Sequence, residues 1–230
     1  MTANASALHL VLTGDPALFA IVWLSLIVSV SAVFFAALIG VPLGSLIALT
    51  QFRGREALIV VLNTLMGLPP VVAGLAVFLL LSRSGPLGSL GLLFTPQAMV
   101  IAQIVLVTPI IAALTRQTIE DLWLEYRDEL AAMAIKPFPR LLTLIWEARF
   151  SLITALLAGF GRATAEVGAI IIVGGNIEGF TRTMTTAIVL QTSQGELPLA
   201  LGLGMVLMVI VVLINALVWG ARRAAERFTT

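Results

Sequence analysis

The sequence predicts an all-α polytopic membrane protein with about five spans, and three observations carry that expectation. Sixty per cent of its 230 residues are hydrophobic and 11% are charged, against about 45–50% and about 25% in soluble globular domains. The charges cluster, leaving ionisable-free intervals from Asp15 to Arg53, Glu56 to Arg83 and Glu196 to Arg222. Each interval exceeds the ~20 residues with which a helix crosses the hydrocarbon layer. Finally, Lys and Arg are distributed unevenly between the two sides. If the chain crosses five times, ten of the thirteen basic residues share one face, and only Arg83 and Arg182 lie on the other.

The spans follow in order. The first, about 19–50, is too long for one straight crossing, and Gly40-Val41-Pro42-Leu43-Gly44 offers a bend, because proline removes a backbone bond and glycine permits the turn. The second, about 57–82, holds Gly67-Leu68-Pro69-Pro70 near its middle. Two prolines there predict a broken helix, tolerated at membrane depth only against protein or a water-filled cavity. Gly85 to Gly91 is turn-rich, and a third span follows at about 96–115. The fourth covers about 150–173 and the fifth about 199–219. By the positive-inside rule the 51–56 loop, the 116–149 stretch and the C-terminus are cytoplasmic and the N-terminus is outside. Residues 1–230 are expected to form a single transmembrane domain. Met1 to Asp15 lacks a basic run ahead of the apolar stretch, so the first span is expected to be retained rather than cleaved.

Composition excludes several chemistries. No cysteine is present, which removes disulfides and thiolate sites. His9 is the single histidine and lies in the amphipathic leader. No phosphate-binding G-x-x-x-x-G-K-[S/T] loop occurs, nor any nucleophile–base set. No catalytic, metal or cofactor site and no nucleic-acid partner is expected.

The longest polar stretch, Arg116 to Arg149, has apolar positions at helical spacing, with Leu122, Tyr126, Leu130 and Met133. It reads as an extension of the third span followed by a short helix around Pro137 to Ile145 lying across the membrane face. Its length and periodicity suit a docking surface for a cytoplasmic partner, while the plainer reading is a solvated loop. Within the fourth span, Arg162 and Glu166 stand four apart, so on one continuous helix they share a face. A lone charge at that depth costs at least ~2.5–3.5 kcal/mol. They read either as an interhelical staple or as lining of a translocation path, with Gly161 and Thr164 beside them. The segment Gly174 to Pro198 reads as an external loop with glycine turns, threonines and Arg182. Its turn amides could hold an oxyanion, or it could be a plain loop that docks a binding protein.

A family resemblance emerges from these stretches. Glu129-Leu130-Ala131-Ala132, followed by Ile135, Lys136 and Pro137-Phe138-Pro139-Arg140, resembles the Glu-Ala-Ala loop of ABC importer permeases. Gly67-Leu68-Pro69-Pro70-Val71-Val72-Ala73-Gly74 is similar to the Pro-Pro signature of molybdate, sulfate and tungstate permeases. Ala165-Glu166-Val167-Gly168-Ala169, the run from Thr181 to Ile188, and Trp146-Glu147-Ala148-Arg149-Phe150 most resemble the tungstate type.

The resemblance implies a non-enzymatic, multi-pass subunit in a bacterial or archaeal cytoplasmic membrane, importing an oxyanion, tungstate foremost, by alternating access. It implies a homodimer with two cytoplasmic ATPase subunits and a periplasmic or extracellular oxyanion-binding protein. ATP and magnesium belong to the ATPase, and lipid surrounds the whole. The coupling region is then 119–149, with Glu129, Ala131, Ala132, Ile135, Lys136, Pro137 and Arg140 meeting the ATPase. Arg162, Thr164, Glu166, Pro69 and Pro70 fall to the path or its gate. Molybdate or sulfate import is the alternative cargo. Two remoter readings are an intramembrane enzyme using Glu166 with Arg162 and an ion-driven secondary transporter.

Overall fold

The protein is described here by a computed structural model covering residues 16–227; His9 lies outside the described residues. Among them every regular element is helical. The α-helices are α1 (Pro16–Leu49), α2 (Arg55–Met66), α3 (Pro70–Leu81), α4 (Pro96–Ala132), α5 (Pro137–Glu147), α6 (Arg149–Thr164), α7 (Gly168–Gly174), α8 (Met184–Ser193) and α9 (Leu197–Arg227). Three helices, α1, α4 and α9, are each long and apolar enough to cross a membrane, and the number reaches five if the pairs α2–α3 and α5–α6 each count as one broken span.

The expected break at Pro69-Pro70 is present: α2 ends at Met66 and α3 begins at Pro70. Proline suits a first helical position because it lacks only an N–H that has no partner there. At Pro42, where a bend is expected, α1 is one continuous helix. The flanking glycines also face a neighbouring helix. A Cβ on Gly44 would lie 2.3 Å from the Ala112 carbonyl oxygen, and one on Gly40 would lie 3.1 Å from the Ile111 side chain. These glycines, four apart on α1, let its backbone press against α4. Lipid tails match apolar side chains, so close backbone approach and dispersion hold membrane helices together.

The chain divides into two compact units, and α1 and α4 each contribute residues to both. One comprises residues 32–69 and 104–163. Its core gathers Ala36, Val107, Ile111 and Ala163 in one cluster and Ala48, Ile119, Leu130, Leu144, Ala148 and Leu152 in another. Gly159 lets α6 approach Val107 and Ile111 of α4.

The other comprises residues up to 31, 70–103 and from 164 onward. There α3 packs on α7 and α8 on α9, with Gly74 set against the Ala169 backbone. The segment 174–198, expected as a loop, instead contains α8. Thr183 caps that helix through a reciprocal capping box with Thr186, and Thr181, Thr183 and Thr186 are buried. The hydroxyl-rich run that reads as a loop supplies the cap and then enters the packed interior.

Large apolar side chains lie exposed along α1 and α9, among them Phe34, Leu38, Met208, Val212 and Leu217. Such surface is a liability in water and a match in lipid.

Gly44→Val should cost about 1–3 kcal/mol by overpacking the α1–α4 crossing. In detergent this should lower the thermal unfolding midpoint, whereas Gly204→Ala, where a new Cβ meets nothing within 4 Å, should leave it unchanged.

Candidate translocation and coupling surfaces

The continuous fourth span expected over 150–173 is interrupted. Helix α6 ends at Thr164 and α7 starts at Gly168, so Arg162 and Glu166 do not share one helical face by i, i+4 spacing. Glu166 sits in the break, 2% exposed. Its Oε1 accepts hydrogen bonds from the Val167 and Ala169 amides, both 3.1 Å, and its carbonyl accepts one from the Thr185 hydroxyl at 2.9 Å. Interrupting a helix leaves polar backbone groups that must find partners. Here a side chain and a neighbouring threonine provide them. Pro70 and Val71 lie beside Gly168, so the beginnings of α3 and α7 adjoin. Nearby, the Met184 amide donates to Ser25 Oγ at 2.8 Å, tying the start of α8 to α1.

Helix α6 presents a second surface. Ser151, Thr154 and Ala158 are exposed and Arg162 is partly so; their spacings of three, four and four place them on one face. Nothing on that face resembles the Phe, Leu and Met that α1 and α9 expose. Thr154 and Ser151 share a groove with Gln117, Thr118 and Asp121 of α4. Exposed hydroxyls, an amide and a carboxylate on helices of a membrane protein call for water or another protein chain rather than lipid.

The third surface is the corner joining α4 to α5. Helix α4 has 37 residues, about 55 Å at 1.5 Å per residue, and from Arg116 onward it is richly charged. It therefore outruns a hydrocarbon layer of about 30 Å. After a turn with Ala134 at φ 50°, α5 starts at Pro137 and meets α6 at a 68° bend. Of the residues assigned to coupling, Glu129, Ala131, Ala132, Lys136 and Pro137 are exposed. Ile135 instead packs on the cluster around Leu130 and Leu144. Arg140 also turns inward: its Nη2 donates to the Ile135 carbonyl at 3.2 Å and its guanidinium lies 4.9 Å from the Trp123 ring centre. It fastens α5 to α4. What α5 shows outward is apolar, with Phe138 and Trp146 each 69% exposed and Leu142 between them. The i, i+4, i+8 spacing makes this a single stripe, and Tyr126, Glu129, Met133, Thr143 and Glu147 line a groove of about 320 Å³ alongside.

Sequence reading missed an ionic cluster altogether. Arg55, 8% exposed, donates from Nε to the Ile47 carbonyl at 2.9 Å and from Nη2 to Glu120 Oε1 at 2.7 Å. Glu120 Oε2 is paired in turn with Arg116. The partners stand 65 positions apart, and only the Arg116–Glu120 spacing was visible as a helical pair.

A helical chain with apolar exterior faces, broken spans and a polar groove is a multi-pass membrane protein of transport type. No family model matches the chain. It is 40% identical over 210 residues to a probable anion ABC transporter permease protein of Haloferax volcanii, covering 89% of this chain and 90% of that one. It is 38% identical to the tungstate uptake system permease protein TupB of Peptoclostridium acidaminophilum, covering 93% and 94%. A sulfate transport system permease protein CysW of Synechocystis is 28% identical, over 76% and 69%. The chain belongs to the ABC transporter permeases.

Glu166→Ala removes an acceptor from two amides in a buried break and should cost about 1–3 kcal/mol. Glu166→Gln retains a carbonyl oxygen and should cost less than half as much in a denaturation series on detergent-solubilised protein.

Proposed function

We propose that this chain is the membrane subunit of an ATP-driven importer and that its cargo is an oxyanion, tungstate. The observation that carries this reading is its near full-length similarity to a tungstate uptake permease and an anion permease. In this reading two copies enclose a pathway. A cytoplasmic ATPase docks on each copy at the α4–α5 corner, and a separate binding protein delivers the anion from outside. The orientation follows the basic residues, with the corner and the C-terminus in the cytoplasm. ATP hydrolysis belongs to the partner; this chain contributes the passage and its gating.

Of the surfaces described, the small and polar face of α6 fits the passage best. Arg162 is its one cation, able to attract a doubly charged anion. Glu166, Thr164 and the Pro69-Pro70 pair each mark a break in their own span, which leaves half-helices where a straight span would stand. Backbone that departs from a helix at membrane depth is expected next to protein or a water-filled cavity. The α5 stripe fits the ATPase contact: Phe138, Leu142 and Trp146 would be buried in a groove of the partner, with Lys136 and Glu129 at its rim.

The decisive experiment measures tungstate uptake by cells lacking this chain, with and without its restoration, in competition with molybdate and sulfate. Restored uptake that resists both competitors supports the tungstate reading. Restoration of molybdate or sulfate uptake alone transfers the cargo, and no oxyanion response overturns the function. Two variants separate the surfaces. Phe138→Glu should abolish co-purification of the ATPase. Thr154→Trp should leave co-purification intact yet lower uptake roughly tenfold or more, as expected of an obstruction in the path.

A further inference from the structure

We propose that Arg55 and Glu120 form a transmission joint carrying the movement of the α4–α5 corner to α1 and α2. The proposal rests on the import reading above and extends it to positioning residues that touch neither anion nor ATPase. Four observations support it. Arg55 opens α2, directly after Gly54 at φ 93°, in the link that leaves α1. Its planar fork reaches three elements, Nε on the Ile47 carbonyl in the last turn of α1, Nη1 on the neighbouring Glu56 of α2 and Nη2 on Glu120 of α4. Glu120 is held from its other oxygen by Arg116 on the same helix. Twelve residues of unbroken α4 then separate Glu120 from Ala132 at the corner, about 18 Å of helix at 1.5 Å per residue.

A partly buried ion cluster is a poor way to gain stability. Desolvation offsets much of the attraction, and apolar side chains of similar volume frequently do as well or better. What it supplies is direction. The guanidinium bonds only in its own plane, so the α1 terminus, the α2 start and α4 must keep one mutual geometry while α4 moves. Dispersion contacts such as Ala48 against Ile119 would permit sliding. The bonds to Glu120 do not, and a stroke applied at Ala132 reaches α1 and α2 with little loss.

The test uses the full complex with its ATPase in proteoliposomes, with tungstate-loaded binding protein outside. ATP hydrolysis and tungstate uptake are measured together for wild type, Glu120→Gln and Arg55→Lys. Glu120→Gln keeps the size and one carbonyl acceptor; Arg55→Lys keeps the charge but loses the fork. The expected result is assembled complex in normal amount, ATP hydrolysis within about twofold of wild type, and uptake per ATP reduced roughly tenfold in Glu120→Gln, in the range of a lost site-to-site coupling. Arg55→Lys should fall between. Unchanged uptake per ATP in both variants overturns the joint. So does a loss of both activities in proportion to lost assembled complex, which marks a purely structural cluster. A wild-type complex that neither responds to the loaded binding protein nor imports tungstate overturns the import reading, and this proposal with it.

Discussion

Every backbone amide and carbonyl inside a bilayer must be paired within the protein, and that requirement governs this structure wherever its helices stop. Continuous helices satisfy it by themselves, which is why α1, α4 and α9 need nothing beyond their length and apolarity. The breaks are more demanding. At 165–167 the Glu166 carboxylate takes two amides and the Thr185 hydroxyl takes a carbonyl. Around 174–183, Thr181 donates to the Gly174 carbonyl and accepts from the Ile177 amide. Polar side chains that look like candidates for substrate contact are, in these places, already committed to the backbone. Outward-facing polarity lies elsewhere, on α6 and the adjoining part of α4, where Ser151, Thr154, Gln117 and Asp121 line a groove.

The same economy governs association between helices. With lipid as apolar as the side chains, contact is gained by letting backbones come close, and Gly40, Gly44, Gly74 and Gly159 mark those approaches. The exposed surfaces then divide by chemistry. Phe, Leu, Val and Met cover α1 and α9, whereas Ser, Thr and Ala occupy the open face of α6.

Much of the architecture was legible before any coordinates. Charge-free intervals located α1 and α9, Pro69-Pro70 marked a break, and the polar stretch with its helical periodicity up to Met133 marked the extension of α4 ahead of the short helix α5. These signals are local, and local signals survive into the fold. The failures share a different origin. Gly40 and Gly44 were read only as permitting a bend, because a single sequence cannot show that the glycines also face another helix. The break at Glu166 was invisible because an alanine-rich run with one carboxylate looks like an ordinary helix until Thr185 and the two amides are brought to it. The cap of α8 was hidden among glycines that suggested a loop. Arg140 belonged by motif to the docking surface, yet a tryptophan seventeen positions earlier holds it inside. The site was therefore legible as a set of segments and much less so as a set of side-chain orientations.

The wide separation of Arg55 from Glu120 bears on how the chain is made. Synthesis at about 5–20 residues per second means that Arg55 emerges on the order of 3–13 s before its partner. During that interval α1 and α2 are already available for insertion while the guanidinium has no carboxylate from α4 to meet. A cation stranded within the hydrocarbon layer would be costly, but Arg55 stands at a helix start, where the nascent chain can leave it among water and headgroups. The arrival of α4 then does two things at once: it supplies Glu120 and lays Ala112 and Thr115 against Gly44. Until α4 is in place, neither of those contacts can form.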